Sequence, residues 1–148
     1  MTDIYTAEAG AVQPVEVYFD DLDRYGMVYN AHYLILIDRA WVRFWGERGY
    51  TFEGDATPDT LALVREVTIT YEQPITDSGT VAMHFWMEKV GGSSAVMGFR
   101  ITSADGHRVH AHGSRVAIKV DPVTRRPAPW SDAVRADFTS LLREVSHV

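Results

Sequence analysis

Asp21-Leu22-Asp23, then Gly26, then Val28-Tyr29-Asn30-Ala31 put carboxylates and a prospective helix start within one short segment. Gly26 lets the chain turn tightly after Asp23, and a helix that opens near Asn30 or Ala31 leaves its first amides without intrahelical acceptors. Amides at the positive end of a helix dipole can polarise a carbonyl oxygen and hold the oxyanion that forms when the carbonyl is attacked. A neighbouring carboxylate supplies a general base for water or a nucleophile, and an ester or thioester is the substrate that suits the pair. Asp23 is the candidate carboxylate, and the backbone of Tyr29, Asn30 and Ala31 is the candidate oxyanion site. The plainer reading is that Asp-X-Asp before glycine is ordinary turn chemistry, and that acids before a helix stabilise it without catalysis. Spacing alone leaves both open.

The elements that must position these residues follow from periodicity. From Pro14, the alternation of Val15, Val17 and Phe19 with Glu16, Tyr18 and Asp20 predicts a short strand that stops at the Asp20–Asp23 turn cluster; residues 1–13 read as a loose leader. A helix runs from Asn30 or Ala31 to about Arg48, closed by Gly49, with Tyr33, Leu34, Ile37, Ala40, Trp41, Phe44 and Trp45 at three- and four-residue spacing. Ile35 and Leu36 widen the apolar stripe so far that the helix is expected to be surrounded. After a Gly/Pro/Asp/Thr-rich loop over 51–59 come strand candidates at 61–73, 80–90, 94–103 and 108–120, joined by short connections that predict a four-strand antiparallel meander. Ser131 can cap a last helix over 131–146, with Val134, Phe138, Leu141, Leu142 and Val145 on its apolar face. The class is α+β, one domain over 1–148: a curved antiparallel sheet of about five strands wrapped around one long helix, with a short C-terminal helix. Such a helix would fill the concave face and leave little room for a cavity within one chain.

Composition bounds the partners. The chain has 148 residues, 46% hydrophobic and 23% charged, which is enough for a folded core without disulfides or structural metals. It has no cysteine, which excludes thiol nucleophiles, Cys-ligated zinc and iron–sulfur clusters and fits a cytoplasmic location. The formal charge of -6 argues against nucleic acid and anionic membranes as partners. The run from Tyr33 to Ile37 is far shorter than the roughly 20 apolar residues that span a bilayer. His110 and His112, two apart on a strand, share a face, with His84 nearby across the sheet, but no third ligand follows and no metal is assigned. Asp38 reads as an exposed helix acid beside Arg39, with a second catalytic role as the sharper alternative. The cations that could receive an anionic ligand fall late in the chain: Arg100, Arg108, Arg115, Lys119, Arg125 and Arg126, with Arg125 and Arg126 favoured by their place on the tail after the last strand.

Asp21-Leu22-Asp23-Arg24-Tyr25-Gly26-Met27-Val28-Tyr29-Asn30-Ala31-His32-Tyr33-Leu34 resembles the signature of the hotdog-fold acyl-CoA thioesterases of the 4-hydroxybenzoyl-CoA thioesterase and YbgC-like type. The likeness continues through 65–74, which ends in Tyr71-Glu72-Gln73-Pro74, through the turn at 88–94, and through 116–129. It implies Asp23 as catalytic carboxylate and a backbone amide near Asn30 as donor to the substrate carbonyl, with Tyr29 beside it. It makes Tyr25, Gly26, Val28 and Tyr33 candidates for substrate contacts, and it sets Lys89, Ser93 and Ser94 beside the pantetheine and nucleotide. Two positions depart from the pattern: Met27 and Asn30 stand where many relatives carry histidine, so neither offers an imidazole, and Asn30 cannot shuttle a proton at neutral pH. The expected reaction is hydrolysis of an aromatic or short- to medium-chain acyl-CoA. It needs no cofactor, since coenzyme A is part of the substrate; an acyl-carrier protein is the other possible thioester donor. The resemblance also implies a homodimer or dimer of dimers with its pocket between subunits. The rival is a non-catalytic acyl-CoA or carrier-protein binding module on the same fold. A hotdog dehydratase is disfavoured, because only His32 offers an imidazole between Gly26 and Tyr33.

Overall fold

A computed structural model describes residues 4–52 and 62–143. In chain order the elements are β1 Ala11–Val17, α1 His32–Gly46, β2 Ala62–Tyr71, β3 Gly79–Val90, β4 Ser94–Ser103, β5 Val109–Lys119 and α2 Asp132–Ser140, with a 3-10 turn at Phe19–Asp21. Expected strand and helix boundaries hold within a few residues, except that β1 begins at Ala11, inside the expected leader, and α2 ends at Ser140, short of the expected 146. The expectation for the 51–59 loop falls mostly outside the described residues, as does that for Val145.

The five strands form one antiparallel sheet in the order β1-β3-β4-β5-β2. This corrects the four-strand meander: only β3, β4 and β5 are sequential neighbours, while β2 pairs with β5 at one edge and β1 with β3 at the other. The connection 72–78 is not a hairpin, because the start of α1 captures it. Ile75 is 3% exposed, its carbonyl accepts from the Val28 amide at 2.9 Å, and its amide donates to the Tyr33 hydroxyl at 3.4 Å. The chain is thereby drawn across α1 and delivered to the far side of the sheet.

One face of α1, with Leu36, Ile37, Ala40 and Phe44, is buried together with Phe85, Met97, Phe99 and Ile101 from the sheet. Leu34, Ile35 and Val42 are exposed. The helix is therefore covered on one side rather than surrounded, and its widened stripe leaves a second apolar face outward. Ser131 caps α2 as expected, its Oγ accepting from the Val134 amide at 3.2 Å, but the helix ends at Ser140. Beyond Phe85, β3 has no β1 partner, and the tail takes that place: the Met87 amide donates to Leu141 O and the Arg143 amide to Met87 O, both at 2.8 Å. A strand-like bridge satisfies backbone groups that further helix would leave open.

His110 and His112 do not form the expected pair. The register shifts between Ile101 and Thr102, so β5 bulges at His110 and strand alternation is broken there. His110 Nδ1 donates to Gln73 O at 2.9 Å, and His112 Nε2 lies 2.9 Å from Glu72 Oε1. Burial holds the His84 and His110 rings below the usual histidine range, against the opposing effect of their hydrogen bonds to Ala9 O and Gln73 O. A depressed histidine binds fewer protons folded than unfolded, so stability is lost as pH falls below the unfolded value of about 6.5. The Tm from circular dichroism is expected to fall between about pH 7 and pH 5, and less steeply in a His84→Gln, His110→Gln double variant.

Candidate active site

The segment between β1 and α1 folds back on itself. Leu22 bridges Val28, the Tyr29 amide donates to Asp21 O at 3.1 Å, and the Asp23 amide donates to Met27 O at 2.8 Å. This ladder holds the Asp23 loop against the chain leading into α1. Gly26 closes the loop at φ +76°, with nothing within 4 Å of where a Cβ would stand. Its requirement is conformational rather than steric.

Asp23 is half-buried. Its Oδ1 accepts from the Tyr25 amide at 2.8 Å and from the Met27 amide at 3.4 Å, which fixes the carboxylate as turns of this kind do. Its Oδ2 accepts from no group among the described residues. One oxygen is thus pinned while the other stays available to water or substrate.

The helix start supplies donors, with one change from expectation. The Tyr29 amide is already engaged by Asp21 O, and the Tyr29 side chain is half exposed and packs edge-on against His32. No hydrogen bond within the described residues engages the Asn30 and Ala31 amides. Ala31, the residue before the helix, has no side-chain cap. The Asn30 carbonyl accepts from the Tyr71 hydroxyl at 2.9 Å. Tyr71 stacks edge-on against Tyr33 at 5.0 Å, so the end of β2 fixes the peptide plane that carries the Ala31 N–H.

Beneath the loop lies an ion pair the sequence did not disclose. Asp21, 2% exposed, accepts from Arg39 Nη1 at 2.7 Å and Nη2 at 3.0 Å, and from the Tyr18 amide at 2.8 Å. His32 Nδ1 lies 3.2 Å away. Burial alone would raise the Asp21 carboxyl, but the hydrogen bonds from Arg39, Tyr18 and His32 outweigh it and hold the group below the usual carboxylate range. His32 and Arg39 are seven residues apart, two helical turns on one face. That spacing was the available signal.

The other expected substrate residues divide into two groups. Val28 and Tyr33 are buried beside the ladder, and Tyr25 is exposed, its hydroxyl accepting from Arg24 at 2.9 Å. Ser93, Ser94, Lys89, Arg125 and Arg126 lie at the other end of the sheet. There the Lys119 amide donates to Ser93 O, Trp130 Nε1 donates to Ser94 O, and the Asp121 amide donates to Arg126 O. Tyr71, Gly79 and Val109 mark the Asp23 end, while Val90, Ser94 and Lys119 mark the opposite one. Strands of ten to twelve residues put roughly 30 Å between the ends. Within one chain the two groups do not meet. Asp38 is exposed on α1, as the plainer reading expects, and accepts from Arg115 Nη1 at 2.6 Å.

Among the described residues, no group of three or more His, Cys, Asp or Glu is placed to hold a metal, and no helix is long and apolar enough to cross a membrane.

Comparison with known proteins bears on the family and the fold. Acyl-CoA thioester hydrolase YbgC of Escherichia coli O157:H7 is 24% identical over 125 residues, which is 84% of this chain and 92% of YbgC. The PA5185 protein of Pseudomonas aeruginosa strain PAO1 superposes with a TM-score of 0.82 at 23% identity, over 94% of this chain and 96% of that one, and shares the fold. A thioesterase from Thermus thermophilus, solved with coenzyme A and Zn, superposes with a TM-score of 0.74 at 27% identity, over 94% of this chain and 100% of that one. The hotdog arrangement anticipated from the motif is thus the one observed. Residues 17–138, from the end of β1 to within α2, match the family model of the thioesterase-like superfamily, and the chain belongs to that superfamily.

Proposed function

We propose that the protein hydrolyses the thioester of an acyl-CoA to the free acid and coenzyme A, with Asp23 as its catalytic carboxylate. The observation that carries this reading is a carboxylate with one oxygen pinned by its own turn and the other open, on the ladder that leads to the unengaged Asn30 and Ala31 amides. The amides hold the carbonyl oxygen as it becomes an oxyanion. Asp23 takes a proton from the attacking water, and collapse of the tetrahedral adduct expels the coenzyme A thiolate, which takes up that proton. If Asp23 attacks the carbonyl itself, loss of the thiolate leaves a mixed anhydride that water then hydrolyses, freeing the acid and Asp23. Neither route needs a metal or redox step. The names of YbgC and of the Thermus protein support the thioester class and the coenzyme. Incubation with an acyl-CoA panel followed by mass spectrometry is expected to show equimolar free acid and coenzyme A; acyl-CoA that is bound but recovered intact would favour a binding module instead.

Tyr71 is a positioning residue in this scheme. Tyr71→Phe removes the shorter of the two hydrogen bonds to Asn30 O and leaves the longer one from the Tyr33 amide at 3.4 Å; the loosened peptide is expected to lower kcat about tenfold, with KM and Tm nearly unchanged. Steady-state kinetics beside a melting curve checks this.

The full site is assigned to a homodimer. β2 is an edge strand with Leu63, Val64 and Tyr71 exposed, and such an edge invites a further strand. Antiparallel pairing of β2 with its copy sets the Asp23 end of one chain beside the Ser93, Ser94, Arg125 and Arg126 end of the other. That juxtaposition adds the partner's Arg125 and Arg126 as cationic contacts for the nucleotide, besides Arg24 and Arg108 at the Asp23 end of the chain itself.

A further inference from the structure

On the concave side of the sheet a cavity of about 310 Å³ lies between α1, α2 and the strands, where Ala95 and Ala117 face each other across β4 and β5. This corrects the expectation that the helix fills that side. The convex side carries a feature of another kind. In β3, His84 and Trp86 alternate with the core residues Met83, Phe85 and Met87, so their side chains stand on the opposite face. The segment expected as a loose leader lies over them.

Residues 4–10 run from the β4–β5 turn to the start of β1. The Tyr5 amide donates to Ala104 O at 3.2 Å, and the Tyr5 ring packs on Gly106, 2.9 Å from where a Cβ would stand. At the other end His84 Nε2 lies 2.6 Å from Ala9 O. Gly10, at φ +79°, then turns the chain into β1 so close to Phe85 that a Cβ would collide with its carbonyl.

This arrangement leaves polar atoms without partners. A carbonyl only accepts, so Nε2 carries the ring proton of His84 and Nδ1 is bare. That Nδ1 is buried with no hydrogen-bond partner among the described residues. The same holds for the Tyr5 hydroxyl, whose ring meets His84 edge-on at 6.4 Å, and for Nε of Arg100, the cross-strand neighbour of His84 on β4. Buried groups of this kind oppose closure, so the segment is held less firmly than the paired strands beneath it.

A second proton on His84 has only Nδ1 to occupy, where it becomes a buried donor facing no acceptor. The nearest charges have the wrong sign to receive it: Arg100 from β4, and Arg143 from the tail, whose guanidinium lies 5.2 Å over Trp86. Glu88 is engaged by Trp86 Nε1 at 3.3 Å, Glu8 of the segment itself is exposed, and β1 sets only Val12 opposite His84. His112, beyond Arg100 in the same row, is tied to Glu72. Burial, and after it the two arginines, hold the ring below the usual histidine range, against the bond to Ala9 O.

We propose that residues 4–10 form an acid-released strap latched by His84. It is closed over Trp86 at neutral pH and swings away about Gly10 when Nδ1 takes a proton, so that water reaches Nδ1, the Tyr5 hydroxyl and Arg100 Nε together. The closed state binds fewer protons than the open one. Closure is therefore firmest above about pH 6.5, the ordinary value of an exposed histidine, and opening grows by up to about tenfold per pH unit below it. The sheet stays paired, because β1 begins beyond the hinge, at Ala11.

Hydrogen exchange of the full chain, read by mass spectrometry between about pH 7 and pH 5 and corrected for the intrinsic pH dependence, tests this with native protein and His84→Gln. Glutamine keeps an amide donor for Ala9 O and takes up no second proton. In the native protein, protection of residues 4–10 is expected to fall at least about tenfold over that range while the interior of β4 keeps its own; in His84→Gln the strap is expected to change less than about threefold. Nitrogen NMR of the native His84 ring gives a second readout, and Nδ1 protonation is expected to share its midpoint with the loss of strap protection. Strap protection independent of pH, an unaltered pH response in His84→Gln, a ring that takes its proton with the strap still closed, or strap and β4 losing protection together would each overturn the proposal.

Discussion

Asp23→Asn is expected to lower kcat/KM for an acyl-CoA by about 10²–10⁴-fold, the range over which a positioned general base contributes, and by at least as much if Asp23 is the nucleophile. The amide keeps an oxygen where Oδ1 accepts from Tyr25 and Met27, so the turn keeps its geometry. It replaces the open Oδ2 by an uncharged donor. Substrate binding and Tm are therefore expected to change little while kcat collapses, and steady-state kinetics with a melting curve on the same preparation checks both. A loss confined to KM would instead make Asp23 a binding residue.

Asp21→Ala is expected to act on the fold. It strands the Arg39 guanidinium, removes the acceptor for the Tyr18 amide and frees His32. Breaking a buried pair costs about 3–5 kcal/mol; Arg39 is one-third exposed, so water can resolvate it, and about 3 kcal/mol is the better figure. This corresponds to a fall in Tm of roughly 10 °C, measurable by calorimetry. Arg39→Ala should cost as much or more, because the carboxylate it strands is the more deeply buried partner, and Arg39 also donates to Glu16 O at 3.3 Å, tying β1 to the helix. The sign of the pH dependence is fixed as well. A carboxyl held below its unfolded value adds stability above about pH 3.9, and that stability is lost as pH falls through the lower folded value. The native protein is therefore expected to show an acid-unfolding component that Asp21→Ala lacks.

Local features were the legible ones. Strand alternation from Thr80 to Lys119, the helix through Leu36, Ile37, Ala40 and Phe44, and the Ser131 cap are all set by residues within a few positions of one another. What sequence periodicity does not carry is pairing over distance. The position of β2 at the far edge depends on Ile75 docking under the start of α1, and with it went the role of Tyr71, which reaches Asn30 only because β2 lies there. Asp21 and Asp23 look alike in the motif, yet the ladder turns one under the helix onto Arg39 and leaves the other open. The apolar stripe of α1 on its own reads as a helix enclosed on all sides. Alanines at 95 and 117 instead leave space beneath it, an effect of size at two paired positions that a hydrophobic pattern does not register. The separation of Ser93, Ser94, Arg125 and Arg126 from Asp23 likewise appears only once the strands have direction and register.

Cleavage of an acyl-CoA thioester through Asp23 is what sets this protein's proposed activity apart from binding alone. Its most direct test is free-thiol release from octanoyl-CoA followed side by side with native protein and Asp23→Asn at equal concentrations, with binding of substrate confirmed for both. Steady thiol release by the native protein and a rate at least about 100-fold lower for the variant are expected. Native protein that binds the substrate and releases no thiol above background, or a variant as fast as native, would contradict cleavage through Asp23.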